Sequence, residues 1–97
     1  MSTFLVTRHR TGPSWAPTRP MEAQSGWSEH ARVMDDLVAR GTIVLGGPVG
    51  DGERVVLVCE AASAEALTDA LADDPWTDSH LIDVVEPLCL RLDARRP

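Results

Sequence analysis

Residues 27–60 read WSEHARVMDDLVARGTIVLGGPVGDGERVVLVCE, and the change of period inside this stretch decides the fold. From Trp27 to Arg40, apolar residues recur at three- and four-residue spacing. Trp27, His30, Val33, Met34, Leu37 and Val38 form one stripe, and Arg32, Asp35, Asp36 and Ala39 fall opposite. That period predicts an amphipathic helix. Ser25 or Ser28 suits its N-cap, and Gly41 suits a left-handed C-terminal cap. Beyond Gly41 the period becomes that of a strand: Thr42-Ile43-Val44-Leu45, ended by Gly46-Gly47-Pro48. A turn at Gly50-Asp51-Gly52 returns the chain through Arg54–Glu60. The unbroken apolar run of this second strand predicts a central position in a sheet.

Working outward, Phe4–Thr7 reads as a first strand. The segment from Thr11 to Gly26 holds Pro13, Pro17 and Pro20, and reads as a long irregular loop around Trp15. Ser63 caps a second helix whose buried face is Ala66, Leu67, Ala70 and Leu71. Pro75 ends that helix near Ala72 or Asp73. A last strand spans Leu81–Leu92, with Ile82, Val84, Leu88, Leu90 and Leu92 on one face. Pro87 places it at an edge or bends it.

The order is βαββαβ, a ferredoxin-like α+β sandwich on a four-stranded antiparallel sheet, with the first and third strands central. Residues 1–97 form one domain in this reading, with 93–97 a flexible tail. Cys59 and Cys89 would flank the first strand at about 9.5 Å, too far apart for a disulfide. Two helices cover only one sheet face. Leu5, Val55, Leu57, Cys59 and Val85 are candidates for the other, and a second subunit is its simplest cover, so a homodimer is expected.

With 97 residues, 43% of them hydrophobic, the chain has the composition of one globular domain, not a disordered segment. A formal net charge of −6 argues against nucleic acid and anionic membranes as partners. No apolar run approaches the roughly 20 residues that cross a bilayer, and Met1–Val6 is short for a secretion signal, so a cytoplasmic protein is expected. Arg8 and Arg10 gather at the end of the first strand, where Arg8 reads as a solvated strand end or as a contact for a small anion. His9 and His80 read as surface or strand-end residues. With His30 they lack metal-ligand spacing, and no phosphate-binding loop is present.

His30, ten residues, Gly41, five residues and Gly47-Pro48, then Asp74-Pro75 and the aromatic Trp76, together resemble the YCII-related family over nearly the whole chain. The resemblance implies a ferredoxin-like fold paired into a dimeric α+β barrel, with His30 and Asp74 matching the histidine and aspartate proposed as that family's active site. Related barrels include isomerases and cofactor-free monooxygenases, and the YCII-type group itself includes a dehydrochlorinase. His30 would act as general base on a small carbonyl, enol or phenol substrate, and Asp74 would orient the ring or return the proton.

Two structural readings stay open beside it: a core histidine satisfied by one hydrogen bond, and an aspartate that only ends a helix, with Asp73 as another carboxylate for the role. Trp15, Trp27, Met34, Gly47, Pro48, Trp76 and Arg8 are the candidate substrate contacts. The function expected is thus a lyase or isomerase needing no cofactor or metal, acting on a small aromatic or enolisable substrate. The alternative is a non-catalytic metabolite-binding or accessory module.

Overall fold

Strand β1 (Ser2–His9), helix α1 (Trp27–Ala39), strands β2 (Ile43–Val49) and β3 (Arg54–Ala61), helix α2 (Ala64–Leu71) and strand β4 (Ile82–Pro87) follow in the expected βαββαβ order in the computed structural model, which describes residues 1–93. The sheet runs β2-β3-β1-β4 with every pairing antiparallel, so β1 and β3 are the central pair. Of the tail expected at 93–97, all but Asp93 lies outside the described residues. No helix among the described residues is long and apolar enough to cross a membrane.

Alternation along β1 and β3 sorts the sheet faces. Phe4 and Val6 of β1, paired with Cys59 and Leu57 of β3, pack against Val33 and Leu37 of α1 and Leu67 and Leu71 of α2. Arg8, Val55 and Val85 share this helix-covered side. The opposite face carries Leu5, Thr7, Val56, Val58, Ile82 and Val84. Of the residues expected there, only Leu5 is on it. Val55, Leu57, Cys59 and Val85 belong to the helix side, because β1 places Phe4, Val6 and Arg8 inward and cross-strand partners share a face.

Helix α1 begins at Gly26, which takes φ +75° and offers no side-chain cap, so neither Ser25 nor Ser28 fills that role. It ends as expected: Gly41 adopts φ +79°, the Gly41 amide bonds the Val38 carbonyl, and the Thr42 amide reaches back to that of Leu37. These two bonds make a Schellman closure. Ser63 caps α2 by accepting from the Ala66 amide at 3.0 Å. Val38 and Ala66 lie on the exposed sides of their helices.

Two strand ends differ from expectation. Strand β2 continues through Gly46, Gly47 and Pro48 to Val49. It is an edge strand, where a missing N–H can face outward. Gly46 lies so close to β3 that a Cβ would sit 2.6 Å from the Val56 carbonyl oxygen. Strand β4 occupies the other edge and stops at Pro87, so Leu88–Leu92 lie beyond it and Cys89 is exposed.

The 11–26 segment is not wholly irregular. Met21–Ala23 form a short 3-10 helix, and buried Gln24 accepts from the Ala16 amide while donating to the Ala16 and Arg19 carbonyls. Gly12 docks the segment onto the α2–β4 connection, where a Cβ would sit 2.5 Å from the Ser79 carbonyl oxygen.

Both cysteines are free. Burial pushes the Cys59 thiol up to about 11, against the pull of the Arg8 charge. Iodoacetamide at mildly alkaline pH is therefore expected to modify Cys89 in the folded protein and Cys59 only after unfolding. Equal rates in the native state would contradict the placement of Cys59.

Candidate active site

The α2–β4 connection organises the site. Asp74 follows the last turn of α2, and its amide bonds the Leu71 carbonyl. Its Oδ1 accepts from the Trp76 amide at 2.9 Å, the local turn that aspartate before proline favours. That bond leaves Oδ2 pointing at two partners: His30 Nδ1 of α1 and Arg8 Nη1 of β1, each at 2.8 Å. Asp74 and Arg8 are almost fully buried, at 2% and 1% exposure.

Burial alone would raise the Asp74 pKa. The hydrogen bonds from His30 and the Trp76 amide, with the Arg8 charge, outweigh it and hold the carboxyl below its ordinary value. Asp74 is therefore an anion that accepts. It has no proton to return to a ligand, so the orienting role is the one its geometry suits. Asp73 is exposed and has no place in the network.

Arg8 is no solvated strand end. Its Nε and Nη2 clasp Asp83 at 2.7 and 3.2 Å, Nη2 also donates to Thr77 Oγ1 at 2.9 Å, and Nη1 reaches Met34 Sδ at 3.6 Å as well as Asp74. All five guanidinium N–H donors thus have partners within the protein. A sequence-adjacent anion site at Arg8 has nothing left to donate.

Because Asp74 accepts from Nδ1, the neutral ring of His30 is the tautomer with Nε2 unprotonated. Among the described residues Nε2 has no hydrogen-bond partner and is not sealed from solvent. His30 lines a cavity of about 450 Å³ whose walls are mostly apolar, among them Trp27, Met34, Val55, Trp76 and Leu81, with Pro48 from β2. Gly47 lies across β2 from this cavity, beside Val56 on the opposite sheet face. Trp15 faces a second cavity together with Arg10 and Arg19. The candidate residues therefore divide. His30, Trp27, Met34, Pro48, Trp76 and Arg8 share the cavity, Asp74 stands behind it, and Trp15 and Gly47 lie elsewhere.

Trp76, 1% exposed, stacks between two imidazoles: His30 at 3.8 Å and 9°, and His80 at 5.1 Å and 12°. Its Nε1 donates to the Ser25 carbonyl at 2.7 Å, and Trp15 packs edge-on against it at 5.7 Å. His80 is not a surface residue. Ser79 Oγ donates to the Pro75 carbonyl and so accepts from His80 Nδ1, which leaves His80 Nε2 to accept from Ser25 Oγ. Burial, with the His30 ring beside it, lowers the His80 pKa, although Asp74 pulls the other way.

Sequence patterning did not reveal Asp83, Thr77 or His80. Asp83 opposite Arg8 across β1–β4 is the one signal it offered, and it needs the register to be read. Among the described residues no three His, Cys, Asp or Glu side chains converge as metal ligands.

No protein-family model matches the chain, so the YCII-related resemblance rests on the residues alone. No curated protein matches it in sequence either. Its fold does match the crystal structure of muconolactone isomerase, with a TM-score of 0.72 over 98% of this chain and 96% of that one, at 20% sequence identity. A likeness at that identity establishes the α+β ferredoxin-like fold.

Two measurements follow from the network. Arg8→Met would leave Asp74 and Asp83 without their cation, and the expected loss of unfolding free energy is about 3–5 kcal/mol. A loss under 1 kcal/mol would mean the network is not formed. For pH, His80 and Asp74 both titrate lower in the folded protein, below 6.5 and 3.8 respectively. Each contributes stability that is present above its unfolded value and is lost as pH falls through its folded one. Thermal stability is thus expected to decline first below about pH 6.5 and again below about 3.8, with His80→Gln removing the first step.

Proposed function

We propose that this protein is a cofactor-independent enzyme of isomerase or lyase type, in which His30 moves a proton on a small, largely apolar, enolisable substrate. The observation that carries the reading is the 2.8 Å His30 Nδ1–Asp74 Oδ2 contact, behind an imidazole whose other nitrogen borders a cavity of about 450 Å³. Asp74 holds the ring and its tautomer, and Nε2 is left as the base.

The step is a simple one. Nε2 takes a proton from carbon next to a carbonyl, and the electron pair moves onto the carbonyl oxygen as an enolate. Where a C=C bond is conjugated with the enolate, the imidazolium, stabilised by the Asp74 anion, then returns the proton to the far carbon of that system, the double bond shifts and the carbonyl re-forms, which is isomerisation. In the lyase variant, a group leaves the adjacent carbon as the enolate collapses. Trp27, Trp76, Met34 and Leu81 would enclose a flat organic substrate and keep water away from the enolate.

In this reading the chain is a YCII-related protein that acts as a homodimer. The face bearing Leu5, Val56, Val58, Ile82 and Val84 is the surface a second copy would cover, with Val84 still 44% and Ile82 38% exposed. Two free thiols suit a reducing cytoplasm.

A panel of small aromatic, keto and enol compounds, selected by thermal shift and incubated with the protein in D2O, tests the chemistry. The expected result is a solvent deuteron or a changed mass in the recovered compound, with His30→Ala slowing turnover by roughly 10²–10⁴. Ligand recovered unchanged in saturable binding would instead mark a metabolite-binding module. A His30→Ala protein that turns over like the wild type would remove His30 from the reaction. For assembly, light scattering at micromolar concentration is expected to give twice the mass of one chain; a single-chain mass contradicts the dimer.

A further inference from the structure

Of the two arginines at the end of β1, Arg8 has every guanidinium donor occupied within the protein. Arg10, two residues on and just past the strand, is different. Its Nη2 reaches Met21 Sδ at 3.6 Å, and its guanidinium carbon lies 5.1 Å from the centroid of the Trp15 ring. Neither contact neutralises its charge, and among the described residues no carboxylate lies within ion-pair distance of it. Asp51 and Glu53 line the second cavity with it, and neither forms an ion pair with Arg10.

The place of Arg10 gives that unused charge a role. It borders both the His30 cavity and the second cavity, of about 310 Å³, beneath the 11–26 segment, and Met21 is shared in the same way. Arg19 adds a further cation on the second cavity's side. An apolar chamber with His30 in its wall is therefore bordered by a guanidinium held in place by an aromatic face and a thioether. A planar guanidinium with free donors matches a carboxylate in a two-bond fork.

We infer that the ligand of this site is a small organic carboxylate, with its acid group on Arg10 and its apolar body beside His30. The inference rests on the His30 cavity being the ligand site, and it gives the 11–26 segment a function: Trp15 and Met21 hold the anion-binding arginine where the two cavities meet.

Phenylacetate and its neutral isostere phenylacetamide test it, titrated into the full-length protein while the indole N–H signals of Trp27 and Trp76 are followed by NMR. Phenylacetate is expected to bind at least about tenfold more tightly. Arg10→Met should abolish that preference while leaving phenylacetamide binding and the unbound Trp27 and Trp76 indole signals unchanged, which shows the fold intact. Equal affinity of the two probes for the wild type, an undiminished preference in Arg10→Met, or no binding of either probe overturns the inference. His30→Gln separates it from the catalytic reading. The carboxylate preference should survive that change, so loss of turnover without loss of preference assigns proton transfer to His30 and anion binding to Arg10.

Discussion

A guanidinium at 1% exposure stays charged inside a protein only if its partners replace the water it has lost, and for Arg8 that requirement arranges much of the molecule. Two carboxylates from different elements close on it: Asp83 from β4, directly opposite in the sheet, and Asp74 from the turn after α2. Thr77 Oγ1 accepts from Arg8 while donating to the Leu71 carbonyl, so the end of α2 is tied into the same network. Removing Arg8 would strand the buried Asp74 anion, which ties the position of Asp74 to that of Arg8.

From Asp74 the constraint passes to His30. The carboxylate accepts from Nδ1, sets the tautomer and holds the ring parallel to Trp76 at 3.8 Å. Trp76 in turn is fixed by its bond to the Ser25 carbonyl and by His80 on its other face. The His30 ring, the aromatic wall and the loop anchor are thus parts of one assembly that fixes an imidazole which would otherwise rotate freely on its helix. Preorganisation of this kind is what a proton-transfer site needs, because a base held in one orientation does not have to be ordered again by each substrate.

Legibility of the site in the chain followed the range of the interaction involved. His30 and Asp74 could be singled out because each stands at a helix end with a recognisable local pattern. Arg8 could be named as a candidate contact but not as a buried cation, and Asp83 and His80 were not singled out, since nothing nearby in sequence marks their partners. Arg8 lies among strand residues whose inward parity is set by Phe4 and Val6, and only the β1–β4 register reveals Asp83 across from it. His80 looks like a surface residue until the docking of Gly12 and Ser14 onto the Ser79–His80 backbone closes over it. The open sheet face was misread for a related reason: an unbroken apolar run such as Val55–Cys59 has no alternation to tell its two sides apart.

The elements and their order were determined by local chemistry. The 3.6-residue stripe of α1, the glycine at position 41, the Ser63 cap and the apolar run of β3 each act over a few residues, and together they leave the βαββαβ arrangement as the compact solution. What only the tertiary structure decided is the state of the polar groups. Whether Arg8 is spent or free, which aspartate meets His30, and which arginine still carries an unanswered charge all depend on groups separated by as many as 75 positions in the chain. Burial and charge pairing are properties of neighbours in space, and the sequence orders neighbours along only one dimension.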